Sequence, residues 1–192
     1  GGVYARAETP LDGVARGCRV AARGARLYRS SLHAVRTRQE LFAAGRPARG
    51  GDGAAVRGRL NGREFASLTD ADPRLGARLE VFAAGQYTWI PFAQLASVQV
   101  QAPARLRDLL WAPARVQASP AYPGAELGEV LLPALSPLSW RHADGEVRLG
   151  RVTDWDEEGG AVVPVGQKLL LVDGEPVPFL EVRELEIHPH PA

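Results

Sequence analysis

Residues Asp70 to Phe92, DADPRLGARLEVFAAGQYTWIPF, constrain the fold of this chain more than any other stretch. Asp72 followed by Pro73 reads as a helix start: a capping carboxylate, then proline at the first helical position. Leu75, Leu79 and Phe82 fall at helical spacing and form one apolar stripe. Gly85 follows the last periodic residue, where a left-handed helix cap needs no Cβ. Tyr87, Trp89 and Pro91 then alternate with Thr88, Ile90 and Phe92, which predicts an aromatic-rich strand buried on both faces. The expected unit is a capped helix feeding the first core strand.

The rest of the chain divides in two around this unit. From Leu11 to Ala44 there is no proline, and Ala, Arg and Leu are frequent, which predicts helix. Arg46 to Asp52 is a linker-like cluster of Gly, Pro and Arg. Beyond it come short strand patterns divided by turn signals. Asn61-Gly62 and Asp173-Gly174 are tight-turn pairs. Gln94–Gln101, Ala114–Ala118, Glu129–Leu135 and Lys168–Val172 read as strands, and the segment Val177–Ile187, with Phe179, Leu180, Val182, Leu185 and Ile187 as its apolar members, ends the fold. Leu106–Trp111 reads as one helical turn or the start of a strand. Val147–Thr153 alternates imperfectly, as a bulged strand does, and Asp154–Gly160 reads as an acidic loop. The fold class expected is α+β. A short N-terminal helical region with its linker spans residues 1–58. A mixed, mainly antiparallel β-rich domain with one prominent helix spans residues 59–192.

Charge follows the same division. Residues 1–62 carry 12 Arg against four acids, net +8, whereas residues 63–192 are net −7. The basic part has two readings: a solvated face that complements the acidic half, or a docking surface for an acidic partner, with Arg26, Arg29 and Arg36 as its contacts. Lys168 is the only lysine beside 22 arginines, so the Arg excess is compositional and does not point to nucleic acid. No apolar run approaches the roughly 20 residues of a membrane-spanning helix, so no membrane insertion is expected. The opening GGVYARAETP has no apolar signal region. The lone Cys18 has no internal disulfide partner.

The motifs of phosphate cradles, serine or metal hydrolases and CxxC pairs are absent from the sequence, and no cofactor is expected. The closest carboxylate pair is Asp70 and Asp72. It reads either as turn and helix capping or, joined by Asp108, as the acid–base group of a hydrolase or transferase. Arg107 with Asp108 beside Trp111 reads as a structural ion pair or a recognition patch. Tyr87, Trp89, Phe92 and Trp111 read as core or as an aromatic platform.

Taken together, DADPRLG at 70–76, LE at 79–80 and GQYTWIPF at 85–92 resemble the ImpE/TagJ family of type VI secretion accessory proteins. LRDLLWAPA at 106–114, YPG at 122–124, the acidic Trp155 segment, GQKLLLVDGE at 166–175 and LEVRELEI at 180–187 agree in order. The positions that carry the resemblance are Asp70, Asp72, Arg74, Leu75, Gly76, Glu80, Gly85, Tyr87, Trp89, Pro91 and Phe92, then Arg107, Asp108, Trp111 and Pro113, then Gly166, Gln167 and Arg183. All are expected to be structural. RLYRSSLHAVRTRQELFAAGRP at 26–47 is similar to the family's N-terminal segment, which is built of tetratricopeptide-like hairpins. By that comparison, the helices between Pro47 and Leu60 are expected to be shortened or missing here. The resemblance implies a non-enzymatic, cytoplasmic bacterial adaptor without catalytic, cofactor or metal residues. It also implies two protein partners: the small subunit of the contractile sheath and the AAA+ ATPase that recycles the sheath.

Overall fold

The computed structural model describes Arg38, Phe42 and residues 56–119 and 126–188. The expectations for the remaining positions, including the Leu11–Ala44 helix, Arg26, Arg29, Arg36 and the turn around YPG, lie outside the described residues. Arg38 and Phe42 are themselves helical.

Turn chemistry sets the architecture. Asn61-Gly62, Ala84-Gly85, Gly159-Gly160 and Asp173-Gly174 each place two successive residues at positive φ. That is the backbone of the tight turn whose twist matches antiparallel strands. These turns close four hairpins: β1 (Gly58–Leu60) with β2 (Arg63–Phe65), β4 (Arg78–Ala83) with β5 (Gln86–Pro91), β9 (Thr153–Glu158) with β10 (Ala161–Gly166), and β11 (Leu169–Val172) with β12 (Glu175–Pro178). The other strands are β3 (Leu68–Asp70), β6 (Leu95–Val100), β7 (Trp111–Ala118), β8 (Glu126–Pro133) and β13 (Glu184–Ile187). Pairing is antiparallel throughout. Eight strands form one sheet in the order β2-β1-β13-β6-β7-β8-β4-β5, β12-β11-β3 form a second, and β9-β10 stand as a separate hairpin.

One apolar cluster unites the two larger sheets. Leu79, Val81 and Ile90 enter it from the β4–β5 edge, Val98, Val116 and Leu185 from the middle strands, and Leu170 and Val172 from the small sheet. A second cluster joins Phe42 from upstream to Leu75 and Leu138, with Tyr87 and Trp89 packed against it.

The α+β expectation is corrected by these strands. Among the described residues the one α-helix with a continuous span is α1 (Gly145–Arg148), beside the helical Arg38 and Phe42, and no tetratricopeptide-like helical domain is seen. The prominent helix expected after Asp72 does not form. Leu75 and Gly76 donate their N–H groups to Asp72 O at 2.9 and 3.0 Å, but Gly76 then takes φ 58° and the chain leaves the turn as β4. Leu79 and Val81 face the main core while Glu80 and Phe82 are buried on the opposite side. A strand buried on both faces shows no polar alternation, so its apolar residues also satisfied a helical spacing. Gly85 occupies the left-handed backbone that was expected of it, in a hairpin turn.

Two further expectations change. Val147–Thr153 is no bulged strand: α1 ends within it at Arg148, and β9 begins at Thr153. The acidic loop Asp154–Gly160 is mostly strand, paired residue for residue with β10 from Thr153↔Gly166 to Glu158↔Ala161. Leu106–Leu109 is a 3-10 turn, and β7 starts directly after it at Trp111. No described helix is long and apolar enough to cross a membrane.

Candidate functional site: a buried ion cluster under the β4–β5 hairpin

Most of the singled-out residues of the central stretch converge on one place. The outward face of β4 and β5 carries Glu80, Phe82, Tyr87 and Trp89, because Glu80 pairs with Trp89 and Phe82 with Tyr87 across the hairpin. Tyr87 and Trp89 therefore share a face, and Ile90 points to the main core. Lys168 reaches this face from the short connection between β10 and β11. Its backbone is fixed by Lys168 N donating to Ala134 O at 2.9 Å and by Phe179 N donating to Lys168 O at 2.8 Å.

The ammonium of Lys168 lies 2.6 Å from Asp70 Oδ2 and 2.6 Å from Glu80 Oε2. Arg38 approaches Glu80 from the upstream segment as a two-pronged donor, Nε to Oε1 at 2.7 Å and Nη2 to Oε2 at 3.0 Å. Its Nη2 also donates to Leu135 O at 2.9 Å. Tyr87 donates its hydroxyl proton to Glu80 Oε1, and Trp89 Nε1 donates to the Tyr87 oxygen. Asp70, Glu80, Lys168 and Arg38 are all buried. Two cations thus face two carboxylates, and their formal charges cancel.

The electrostatics are unequal within this balance. Burial opposes the charge on Glu80, but Arg38 and Lys168 together outweigh it and hold that carboxyl down at about 2. At Asp70 burial dominates, and it lifts the carboxyl to about 6 against the pull of Lys168. Burial also works against the Lys168 ammonium, yet its two carboxylate partners raise its pKa above the ordinary lysine value. Burial, reinforced by the adjacent Glu80 charge, pushes the Tyr87 phenol up.

A second ion pair borders the first. Asp72 Oδ1 accepts from Arg74 N at 2.9 Å, closing a local turn, and its Oδ2 accepts from Arg74 Nη2 at 2.7 Å. Arg74 Nη1 reaches Glu158 on β9 at 2.5 Å. Asp70 Oδ1 accepts the Asp72 N–H at 2.9 Å, linking the two groups. Asp72 thus caps a turn, in place of the helix expected to start there.

The other singled-out residues lie elsewhere. Asp108 accepts from the Ala104 and Arg105 N–H groups at 3.0 and 2.9 Å, which holds its carboxyl below the usual carboxylate range. Arg107 Nε is 3.4 Å from its other oxygen but is mostly solvent-exposed. Trp111 packs edge-on to Phe82 with ring centres 4.9 Å apart, and Pro113 is opposite Leu131 in the sheet. Phe92 is fully buried in the main core, and Pro91 closes β5. Arg183 ties down its own loop, donating to Leu180 O and Val182 O at 2.8 and 2.7 Å. Gln167 bridges to Leu135. A Cβ on Gly166, at φ +91°, would lie 2.1 Å from Val152 O, so no other residue fits there. Asp70 and Asp72 are joined through the Asp72 N–H, and Asp108 has no hydrogen-bond partner in common with either.

Four contributors escaped the sequence reading: Arg38, Phe42, Glu158 and Lys168. Lys168 had a signal. In a chain that otherwise uses arginine, the single lysine marks a spot where one compact nitrogen must serve two carboxylates. Arg38, Phe42 and Glu158 are joined to the site only by tertiary structure.

This geometry defines an antiparallel β-domain with an internal charge cluster whose carboxylates are committed to protein partners. The chain belongs to the ImpE family, whose model matches residues 62–186. It is 43% identical over 135 residues to the type VI secretion system accessory component TagJ of Pseudomonas aeruginosa. That similarity covers 70% of this chain and 46% of TagJ, so the chain spans about half the length of that relative. The crystal structure of protein VPA1032 from Vibrio parahaemolyticus shares the fold, with a TM-score of 0.63 at 23% identity, over 72% of this chain and 50% of that one.

Proposed function

We propose that this chain is a non-enzymatic, cytoplasmic adaptor of a type VI secretion system that contacts the small subunit of the contractile sheath and connects it to the sheath-recycling AAA+ ATPase. The observation that carries the adaptor reading is the commitment of the central carboxylates. Asp70 has the raised pKa that a catalytic acid needs, but one oxygen accepts from Lys168, the other from a backbone N–H, and the side chain is 3% exposed. A general acid must reach its substrate, and this one is sealed. The hydrolase reading built on Asp70, Asp72 and Asp108 therefore has no open group at its centre.

The net positive charge of residues 1–62 favours an acidic partner surface. We assign its contacts to Arg26, Arg29 and Arg36 in a docking region spanning residues 1–58, with residues 59–192 as the family domain. A pull-down with purified sheath subunits and the cognate ATPase tests this. The full chain is expected to retain the small sheath subunit, and an Arg26→Glu, Arg29→Glu, Arg36→Glu variant to lose it. Retention by the variant would overturn the arginine assignment, and no retention by the unaltered chain would overturn the adaptor reading.

A further inference from the structure

Apart from the contact of Arg38 with the Phe42 ring itself, every described group that grips Arg38 and Phe42 lies within the span of the ImpE match, residues 62–186, whereas Arg38 and Phe42 lie outside it. The two are four residues apart and both helical, the spacing at which side chains of a helix share a face. Each enters its own half of a cleft. Arg38 caps the ion cluster at Glu80 and Leu135. Phe42, 1% exposed, lies against Trp89 at 5.6 Å between ring centres, with the Arg74 guanidinium 4.9 Å over its own ring and Leu75 and Leu138 beside it.

The domain itself organises this receptor. Glu80 and Trp89 are opposite each other in a six-pair hairpin, and Lys168 is fixed by backbone bonds on both sides. Without Arg38, the cluster would hold Asp70 and Glu80 against Lys168 alone, a buried excess of one negative charge. A cleft in that state selects a cation, and Glu80 with Leu135 O selects a planar forked one. The adjoining apolar half selects an aromatic ring one helical turn further on.

We propose that this cleft is a reversible receptor for a helix of Arg-x-x-x-Phe pattern, occupied in cis by the chain's own Arg38–Phe42 segment and able to exchange it for the same segment supplied in trans. Arg38 and Phe42 are thereby the two keys that the family domain holds and can release. The surface differs from that assigned to Arg26, Arg29 and Arg36, so either proposal can fail alone.

Fluorescence anisotropy with a labelled peptide of residues 26–47 tests exchange. The full chain carrying Arg38→Ala and Phe42→Ala has an emptied cleft. It is expected to bind the peptide at least tenfold more tightly than the unaltered chain, in which the segment competes in cis. A peptide with the same two substitutions should not bind, and adding Glu80→Gln to the emptied chain should weaken binding at least tenfold. Equal binding to the emptied and unaltered chains, or none to the emptied chain, overturns the proposal. If the doubly substituted chain does not fold, an otherwise unaltered chain with a protease site placed between Gly50 and Gly51 replaces it. After cleavage the two pieces should co-elute and separate on adding excess 26–47 peptide, but not the substituted peptide. Separation on cleavage alone, or resistance to the peptide, overturns the proposal.

Discussion

Lys168 shows how one side chain decides the behaviour of a site. Its nitrogen serves Asp70 and Glu80 at once, 2.6 Å from each. Lys168→Met would leave two carboxylates buried with only Arg38 nearby, and breaking such a network costs about 3–5 kcal/mol. Lys168→Arg keeps the charge but brings a bulky planar fork to a spot shaped for one atom, a loss of about 1–3 kcal/mol. Denaturant melts of both variants check this, and an arginine variant as stable as the unaltered chain would refute the single-nitrogen account. Asp70 makes the second prediction. Its folded value of about 6 stands above its ordinary 3.8, so the folded chain holds this proton more tightly than the unfolded chain does. Its contribution to stability is fully present below 3.8 and is lost as pH rises through 6. Glu80 behaves oppositely: held at about 2 against an ordinary 4.5, it contributes fully above 4.5 and loses that contribution as pH falls toward 2. Between pH 6 and 4.5, then, Asp70 alone of the two changes its contribution. Melting profiles are expected to show the unaltered chain gaining on Asp70→Asn as pH is lowered across that window. Parallel profiles would show that Asp70 titrates at its ordinary value.

At the scale of elements, the hairpins explain what could be read from the sequence. Asn61-Gly62 and Asp173-Gly174 were legible because their residue types fit the positive φ that such turns demand. Strands β5, β6, β7, β8 and β11 were legible from β-rich runs bounded by turn residues or proline. Strand β4 was not, since apolar residues on both its faces erase the two-residue period and leave spacings that also suit a helix. Strand β9 was missed for the opposite reason. Its acidic side chains are exposed, and its strand character comes from backbone pairing with β10. The β4–β5 turn shows a residual local conflict: Ala84, with a Cβ, sits at φ 50°. A left-handed conformation costs an alanine about 1–2 kcal/mol, and asparagine tolerates it better. Ala84→Asn is therefore expected to stabilise the chain by about 0.5–1 kcal/mol in denaturant melts. A loss of stability would mean that the turn is held by contacts its backbone angles do not reveal.

Across the whole molecule, the candidate site is assembled from Arg38, from the Asp70–Trp89 stretch and from Lys168, which lies 98 residues beyond Asp70. The sequence placed Asp70, Glu80, Tyr87 and Trp89 among the residues that matter, and left the chemistry of Asp70 open between capping and catalysis. A carboxylate's surroundings are set by the cation that meets it, and that cation arrives through tertiary structure. The same pairing joins the upstream segment to the family domain, so the two should unfold with shared energetics. Arg38→Met leaves Glu80 with one cation fewer, and Glu80→Gln leaves Arg38 as a buried cation without its carboxylate; each is expected to cost about 3–5 kcal/mol. When both are made together, neither orphaned charge remains, so the combined loss should fall short of the sum by about 1–3 kcal/mol. A double-mutant cycle on the full chain measures that coupling. Strictly additive losses would mean that the upstream segment rests on the domain without Arg38 and Glu80 recognising each other.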